Sequence, residues 1–414
     1  MVMIHPFKSI RPATEFSEKI ATLPYDVLNS AEARQLGENN PYSYLHIDKA
    51  EIDLPETLSP YDDQVYEKAA SNLQAFLQKQ WLIQDDQPRL YLYELTMNGR
   101  AQTGLVTCTS ITDYTEGKIK KHEFTRPEKE VDRIRHIEAC DANTSPIFLT
   151  YRKNEQIQTL MNDWKKSHGP VYDFTSFHEV THRVWLIDKP EVIEQLVTTF
   201  AQEVAALYIA DGHHRTESAV KVGQKKKDAH PEATDSAEFN YFLSVIFPKE
   251  ELEILDYNRV VNVPIEADFF EQLEKSFTVA KTEAGKPAQP KTFGMYLAGQ
   301  WYALTAKEAI LSDDPVDGLD VSLLQNHVFA AIFDIQDVRT DKRIDFVGGI
   351  RGMTELEQLV DSGQWSAAFA IYPTTMDDLL NVADAGKIMP PKSTWFEPKL
   401  LSGLFVHDLE TNNA

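Results

Sequence analysis

Residues 205–217 read AALYIADGHHRTE, and within them the sequence passes from an apolar run through a turn into a helical pattern. The apolar run Ala205–Ile209 predicts a buried strand. Asp211-Gly212 is a dipeptide typical of tight turns, and the residues that follow it, through Lys221, predict a helix. A buried strand, a turn and a helix in this order favour an α/β fold.

The first turn of this helix carries three side chains that are unusual there, His213, His214 and Arg215. The positive end of the helix dipole favours Asp and Glu, and it disfavours cations by a few tenths to ~1 kcal/mol. A bound anion removes that conflict, because backbone N–H groups, a guanidinium and imidazoles together suit a phosphate. The pattern therefore predicts a phosphate-binding turn formed by Gly212 and these three residues.

Two other interpretations of the same residues stay open. In the first, Asp211 caps the helix, Gly212 serves the turn, and the histidines form a satisfied polar cluster. In the second, His213, His214 and Glu217 hold a metal ion. Adjacent histidines on a helix point about 100° apart, however, and this geometry seldom lets both bind one ion.

Composition restricts the classes of function. The chain has 414 residues, a formal net charge of −23 and 42% hydrophobic residues, which favours two or three globular domains. No apolar run approaches the roughly eighteen residues of a membrane span, no signal peptide is evident, and Cys108 and Cys140 are the only cysteines. We therefore expect a soluble cytoplasmic protein with no membrane partner. The negative charge disfavours a nucleic-acid partner but permits a local nucleotide pocket, with Mg²⁺ offsetting the repulsion.

Breaks in the pattern divide the chain into three predicted domains. The sequence His168-Gly169-Pro170 marks the first boundary. We expect an N-terminal α/β domain over 1–170, a central module over 171–265 with the Asp-Gly-His-His-Arg element, and a C-terminal α/β domain over 266–414. The predicted fold class is α/β, in a mixed α+β arrangement of several domains.

Local signals predict individual elements. Asn98-Gly99 between two apolar alternating runs predicts a hairpin. Thr125 and Glu128 predict a capping box, with Pro127 in the first turn of the helix that follows.

The middle of the chain gives two further predictions. The polar residues 223–238 predict an exposed loop, and residues 241–247 and 252–261 predict a pair of strands. The polar cluster Asp256–Arg259 interrupts the second strand, as either an edge-strand face or the lining of a site.

Two more polar passages suggest chemistry. Lys121, His122 and Glu123 precede a predicted helix on a loop, where reactive groups are commonly placed, although plain surface polarity explains them equally well. Lys392, followed by two hydroxyl residues, suits a phosphate or a carboxylate.

Five passages together resemble a bacterial and archaeal family known as domain of unknown function 1015. They are Pro24-Tyr25-Asp26, His122-Glu123-Phe124-Thr125, Ala210-Asp211-Gly212-His213-His214-Arg215, Asp256-Tyr257-Asn258-Arg259 and the segment from Lys392 to Lys399. The Asp-Gly-His-His-Arg element also resembles that of free serine kinases in the ParB/sulfiredoxin superfamily. That resemblance implies a central ParB/sulfiredoxin-like module in which the turn cradles a nucleotide phosphate. It also implies a glutamate base upstream, for which Glu179 is the nearest counterpart, with His182 and Glu123 as rivals.

The combined prediction is a phosphotransferase that uses ATP or ADP with Mg²⁺ to act on a small hydroxyl metabolite such as free serine or a related amino acid. In it Asp211 holds Mg²⁺ or orients a histidine. Predicted bases and substrate-binding residues are Glu123, Glu179, His182, His122, Asp256, Asn258, Arg259 and Lys392. Two alternatives remain: a nucleotide-binding regulatory protein without turnover, and a metal-dependent hydrolase.

Overall fold

A computed structural model describes residues 1–410, and residues 411–414, the end of the third predicted domain, lie outside it. Its strands are β1 Ile4–His5, β2 Ile10–Pro12, β3 Leu82–Gln84, β4 Leu90–Met97, β5 Arg100–Ser110, β6 Ile119–Lys120, β7 Ala142–Asn143, β8 Ile147–Tyr151, β9 Tyr172–Thr175, β10 Thr181–Ile187, β11 Leu207–Asp211, β12 Tyr241–Pro248, β13 Ile254–Leu255, β14 Tyr257–Val261, β15 Phe277–Thr282, β16 Thr292–Leu297, β17 Gln300–Ala306, β18 Ile344–Gly348, β19 Ala367–Ile371, β20 Trp395–Phe396 and β21 His407–Asp408.

The α-helices complete a mixed α/β architecture. They are α1 Ser17–Ile20, α2 Ser30–Gly37, α3 Leu45–Asp48, α4 Asp63–Gln78, α5 Ile111–Thr115, α6 Pro127–Cys140, α7 Glu155–Ser167, α8 Pro190–Glu203, α9 His213–Ala229, α10 Phe269–Ser276, α11 Asp320–Leu324, α12 Gly352–Asp361 and α13 Met376–Asp384. In residues 1–410, none of these helices combines the length and the apolar character needed to cross a bilayer.

The described residues divide into two compact units. Unit 1 contains residues 1–120, 124–252 and 398–410, and unit 2 contains residues 121–123 and 253–397. Both units are therefore built from separate stretches of chain. The three consecutive domains expected from sequence differ from this division, because strands from both sides of residue 170 pair in one sheet.

Unit 1 is organised around a large mixed sheet. Its order is β6-β11-β8-β12-β5-β4-β10-β9, and β1 pairs with the far end of β5. Only β6–β11 and β8–β12 are parallel pairs within this sheet. The central strand β12 is buried along its whole length, as expected for an apolar run with neighbours on both sides.

Helix α9 packs closely on the rest of unit 1 because Gly223 has no side chain. A Cβ at that position would lie 2.4 Å from the carbonyl oxygen of Phe239. Ala219, Val220 and Val222 of the same helix are buried in the apolar core. The predicted loop over 223–238 is therefore wrong for its first half, where buried contacts on one face keep a lysine-rich segment helical to Ala229.

Unit 2 contains a six-stranded sheet in the order β15-β17-β16-β19-β14-β18, in which all neighbours are antiparallel. Helix α12 covers one face through a core that includes Val260, Trp301 and Leu356. The predicted pairing of 241–247 with 252–261 is wrong, because β12 belongs to unit 1 and β14 to unit 2. Their closeness in sequence suggested a hairpin, but β12 pairs with β5 and β8, and β14 pairs with β18 and β19.

The turn predictions have mixed outcomes. The hairpin is confirmed, since Asn98 and Gly99 both have the positive φ that this turn requires. The capping box is wrong: Arg126 is the N-cap of α6 with no side-chain cap, and the Thr125 hydroxyl instead donates to the Glu130 carboxylate. Pro127 is the first residue of the helix, as predicted.

Histidines from the first and last segments of unit 1 both contact Glu238. Its carboxylate contacts Nε2 of His407 at 2.8 Å and lies 3.7 Å from Nε2 of His5. Burial by itself would raise the pKa of Glu238, but hydrogen bonds and charge from the two histidines outweigh it and lower the pKa to about 2. The cluster therefore ties β1 and β21 to the start of β12.

This cluster predicts a pH dependence of stability. A carboxyl with a lowered folded-state pKa stabilises the fold above its ordinary pKa of 4.5, and that contribution disappears as the pH falls towards 2. We expect wild-type protein to lose on the order of 2 kcal/mol more than Glu238→Gln over this range. Urea unfolding at successive pH values measures the difference, and superimposable profiles would contradict the assignment.

Candidate functional site

The strand–turn–helix element predicted from sequence is present in unit 1. Strand β11 ends at Asp211, Gly212 has φ 94° and ψ 35°, and α9 begins at His213. Both the N–H and the hydroxyl of Thr216 donate to the Gly212 carbonyl, at 2.9 and 3.0 Å. The N–H groups of the first helical turn have no acceptor within the helix itself, as at any helix start. Backbone donors therefore gather at a turn that only glycine adopts without strain.

The side chain of His214 caps a second helix, a role that the sequence does not show. Its Nε2 accepts the backbone N–H of Arg126 at 3.0 Å, so its ring caps the start of α6. Burial, and then the nearby charge of Arg126, lower the pKa of His214. The lowered pKa and the acceptor role of Nε2 both favour the neutral ring, so His214 adds little positive charge to the turn.

Arg215 is buried, with 8% of its surface exposed, and its charge is balanced by neighbouring carboxylates. Its Nη1 donates to the Pro146 carbonyl at 2.6 Å, and its Nη2 lies 3.6 Å from an Asp26 carboxylate oxygen. Burial would lower the pKa of Arg215, but Asp26 and Asp211 raise it. Its Nε has no hydrogen-bond partner among the described residues, and it would lie 3.1 Å from a Cβ at Gly212. One donor of the guanidinium is thus buried next to the turn without an acceptor.

Asp211 is paired with a cation from the end of unit 1. Its carboxylate accepts from Nζ of Lys399 at 3.0 Å. Burial would raise the pKa of Asp211, but the charges of Lys399 and Arg215 outweigh it and hold the pKa well below its ordinary range. A carboxylate so engaged does not fit the predicted role of a Mg²⁺ ligand.

The alternative metal site also lacks support. Within residues 1–410, no group of three or more His, Cys, Asp or Glu side chains is arranged to hold an ion. Glu217 instead accepts from the Tyr114 hydroxyl and lies 3.5 Å from Nζ of Lys221. The geometry therefore gives no basis for a hydrolase built on His213, His214 and Glu217.

A small cavity lies behind the turn. The ring of Tyr25 stacks on the Arg133 guanidinium at 3.9 Å, and both residues line the cavity together with Arg215, His136, Asn143 and Ser145. Its volume is about 20 Å³, which is enough for a single water molecule but not for a phosphate. This cavity is therefore too small to be the place where a phosphate binds at the turn.

His182 does not have the properties of a general base. It is 1% exposed, and its two ring nitrogens contact the hydroxyls of Tyr93 and Ser176 at 2.7 and 2.8 Å. Burial lowers the pKa of His182 to about 3. It is a satisfied polar group of the sheet interior, since both nitrogens are already hydrogen-bonded.

Glu179, unlike His182, lies at the surface. It is exposed in the 3₁₀ turn Phe177–Glu179, and both it and His178 have positive φ values of 57° and 58°. Two consecutive non-glycine residues in this conformation cost backbone energy and are often found at functional positions. Four strands separate β11 from β10 in the sheet of unit 1, and Leu401, two residues after Lys399, donates its N–H to the Tyr93 hydroxyl of β4.

The remaining predicted site residues belong to unit 2. They are His122, Glu123, Asp256, Asn258, Arg259 and Lys392. The carbonyl of His122 accepts the N–H of Met389 at 2.9 Å, which joins two passages far apart in sequence. Sequence reasoning missed Asp26, Arg133 and Lys399 as neighbours of the turn in unit 1, because only the tertiary fold brings them there.

Comparison with known proteins gives a family and several distant structural likenesses. The sequence model of the family described as "Protein of unknown function (DUF1015)" matches residues 4–322. None of the curated proteins matches the sequence.

Three solved structures illustrate the structural likenesses. A free serine kinase in complex with AMP is 13% identical, with a TM-score of 0.35, over 73% of this chain and 92% of that one. SbnI with a C-terminal truncation, from Staphylococcus aureus, is 12% identical with a TM-score of 0.41, over 75% and 90%. A conserved hypothetical protein from Pyrococcus furiosus is 14% identical with a TM-score of 0.34, over 73% and 95%.

Proposed function

The chain belongs to the DUF1015 family, and we propose that it binds a nucleotide phosphate at the Gly212 turn and transfers a phosphoryl group to a small hydroxyl metabolite. One observation carries the proposal. A left-handed glycine opens α9, the first turn of α9 has no acidic residue, and the buried Arg215 has an Nε donor without a partner beside it. Backbone donors, a helix dipole and a guanidinium at one point are a suitable site for an anion.

The strength of this site comes from backbone donors more than from net charge. His214 is neutral and Arg215 is balanced by Asp26 and Asp211, so the side chains supply little excess positive charge. The N–H groups at Gly212, His213 and His214 would hold the phosphate oxygens, and Arg215 Nε would add one charge-assisted hydrogen bond. Lys399 fixes Asp211, which assigns Asp211 to shaping the turn and leaves it no role as a Mg²⁺ ligand.

The proposed reaction is a direct displacement. A base removes the proton of the metabolite hydroxyl, the oxygen attacks the terminal phosphorus, and the nucleotide leaves with the electrons of the broken bond. Of the base candidates in unit 1, Glu179 has an exposed carboxylate, whereas His182 has both nitrogens hydrogen-bonded. Free serine or a related amino acid is the proposed substrate class.

Calorimetry with ADP and ATP, with and without Mg²⁺, tests the binding half of the proposal. Mass spectrometry of a free amino-acid mixture incubated with nucleotide tests the transfer half. Binding together with a phosphorylated product supports the full proposal. Binding without a product, accompanied by a change in oligomeric state, would favour the regulatory alternative, and the absence of binding would overturn both.

We expect Glu179→Gln to lower the turnover number by roughly 10²-fold or more, because it removes the base but keeps the shape of the side chain. Nucleotide affinity should stay within about twofold of wild type, since Glu179 is assigned no contact with phosphate. Steady-state kinetics and calorimetry measure the two quantities. Glu194→Gln, an exposed change on α8, is the matched control, and equal activity of the two variants would remove Glu179 from the mechanism.

A further inference from the structure

Unit 2 contains a buried cation without a carboxylate partner. Arg259 is 4% exposed on strand β14, which lies between β19 and the edge strand β18 in the sheet of unit 2. Its directly paired neighbours are Phe346 on β18 and Phe369 on β19, so aromatic side chains flank it on both adjoining strands. No carboxylate lies within ion-pair distance of Arg259 in residues 1–410.

The contacts of Arg259 are neutral. Its Nη1 donates to the carbonyl of Tyr257, its Nη2 donates to the carbonyl of Lys392 at 3.0 Å, and its guanidinium carbon lies 5.1 Å from the Phe346 ring centre. Burial lowers the pKa of Arg259 to about 10, a direction opposite to that of a guanidinium with an acidic partner. An uncompensated buried charge is costly, so a bound anion would stabilise this guanidinium.

A second cation lies beside the first. Lys392 is exposed, has a left-handed φ of 60°, and places its ammonium 5.6 Å from the ring centre of Tyr257. The strained backbone of Lys392 brings its carbonyl to Arg259, so the same residue supports the guanidinium and adds its own charge. The ring of Trp395 meets Tyr257 edge-on at 5.0 Å and gives the cluster an aromatic wall.

The nearest acidic side chain in sequence is engaged elsewhere. Asp256 accepts a hydrogen bond from Nδ2 of Asn258 at 2.5 Å, and it lies 3.9 Å from Nζ of Lys286. Its negative charge therefore does not compensate Arg259. The two cations remain without an internal counter-ion in this part of unit 2.

We propose that Arg259 and Lys392 form an oxyanion-binding site in unit 2 for the carboxylate or phosphate group of a small molecule. A guanidinium and an ammonium on one cluster match the two or three oxygens of such a group. The surrounding aromatic rings lower the local dielectric and strengthen each charged hydrogen bond. The site does not depend on the turn at Gly212, so the proposal goes beyond the proposed function.

Thermal unfolding in the presence of simple anions tests this proposal. The full chain is titrated with sodium phosphate and with sodium acetate at constant ionic strength, with chloride as the reference. We expect the melting temperature to rise with one of the two probes, and the more effective probe identifies the group as phosphate or carboxylate. A wild-type melting temperature that responds to neither probe would overturn the proposal.

Variants assign the effect to this cluster. Lys392→Met changes an exposed residue, and we expect it to raise the anion concentration for half the shift at least tenfold. Arg259→Met should abolish the rise in melting temperature with added anion. If this variant does not fold, the result for Lys392→Met tests the assignment. Arg351→Met, which removes an exposed arginine of unit 2 that pairs with Glu355, should respond like wild type.

One more variant separates this site from the turn of unit 1. Gly212→Ala should keep the anion response if the site lies at Arg259. A response lost in Gly212→Ala but kept in Lys392→Met would instead assign the anion to the turn. That result would end the present proposal and leave the proposed function intact.

Discussion

Gly212→Ala is expected to weaken nucleotide binding at least tenfold and to lower the free energy of unfolding of unit 1 by about 1–3 kcal/mol. The backbone at this position has φ 94°, a region that side chains with a Cβ seldom adopt. The added Cβ would also lie 3.1 Å from Nε and 3.2 Å from Cζ of Arg215. The guanidinium would have to move away from the turn, taking with it the only side-chain donor assigned to the phosphate. Calorimetry measures the affinity, and urea unfolding measures the stability.

Gly99→Ala provides the matched control for this substitution. Gly99 has a φ of 77° in the β4–β5 hairpin of the same unit, and a Cβ there would meet no atom within 4 Å. We expect a similar loss of stability, because the backbone strain is comparable, and no change in nucleotide affinity. Equal affinity losses in the two variants would mean that strain alone weakens binding, and the turn would lose its assignment as the phosphate site.

Arg215→Ala is expected to cost about 3 kcal/mol of stability, since removing one partner leaves buried charges without compensation. The hydrogen bond to the Pro146 carbonyl would be lost, and the Asp26 and Asp211 carboxylates would face each other without the guanidinium. Arg215→Lys keeps the charge but not the planar fork, and we expect an intermediate loss. Chemical unfolding of the three proteins at neutral pH measures the series.

Arg183→Ala is the comparison for this series. Arg183 pairs with Asp173 at 3.1 Å with both side chains partly exposed, so its loss should cost less than about 1 kcal/mol. If Arg215→Ala and Arg183→Ala have the same free energy of unfolding, the buried charges around Arg215 do not depend on its guanidinium for stability.

The element at Gly212 could be predicted from sequence because its signals are local. An apolar run, a turn dipeptide and a helical pattern each depend on neighbouring residues, and together they gave the strand, the glycine and the helix start. The Asn98-Gly99 hairpin was predictable for the same reason. The family resemblance also depended on short contiguous passages, and the match over residues 4–322 confirms it.

The electrostatics of the same element were not predictable, because they depend on residues distant in sequence. Lys399 is 188 positions from Asp211, and the N–H that His214 accepts is 88 positions away. Asp26 and Asp211 are internal partners of Arg215, so a cation at the start of α9 does not by itself require an anionic guest. The Gly212 backbone and Arg215 Nε remain as support for a phosphate, and the ParB/sulfiredoxin-like assignment of residues 171–265 stays a prediction.

The predicted domain boundaries also depend on strand pairings between residues that are distant in sequence. A polar break such as His168-Gly169-Pro170 shows where the chain turns, but not which sheet the next strand joins. Strand β9 pairs with β10, and β10 pairs with β4, so the segment after the break completes the sheet begun before it.

The discontinuity of unit 1 has a consequence for biosynthesis. The ribosome releases residues 1–252 long before residues 398–410, and the whole of 253–397 emerges in between. During that interval Asp211 lacks its ammonium from Lys399, and Glu238 lacks the imidazole of His407. The nascent sheet therefore lacks one cationic neighbour of Asp211 and one of Glu238 until residues 399 and 407 have been synthesised. Premature termination anywhere after residue 252 would release a chain whose first unit is still incomplete, a natural substrate for cellular proteases.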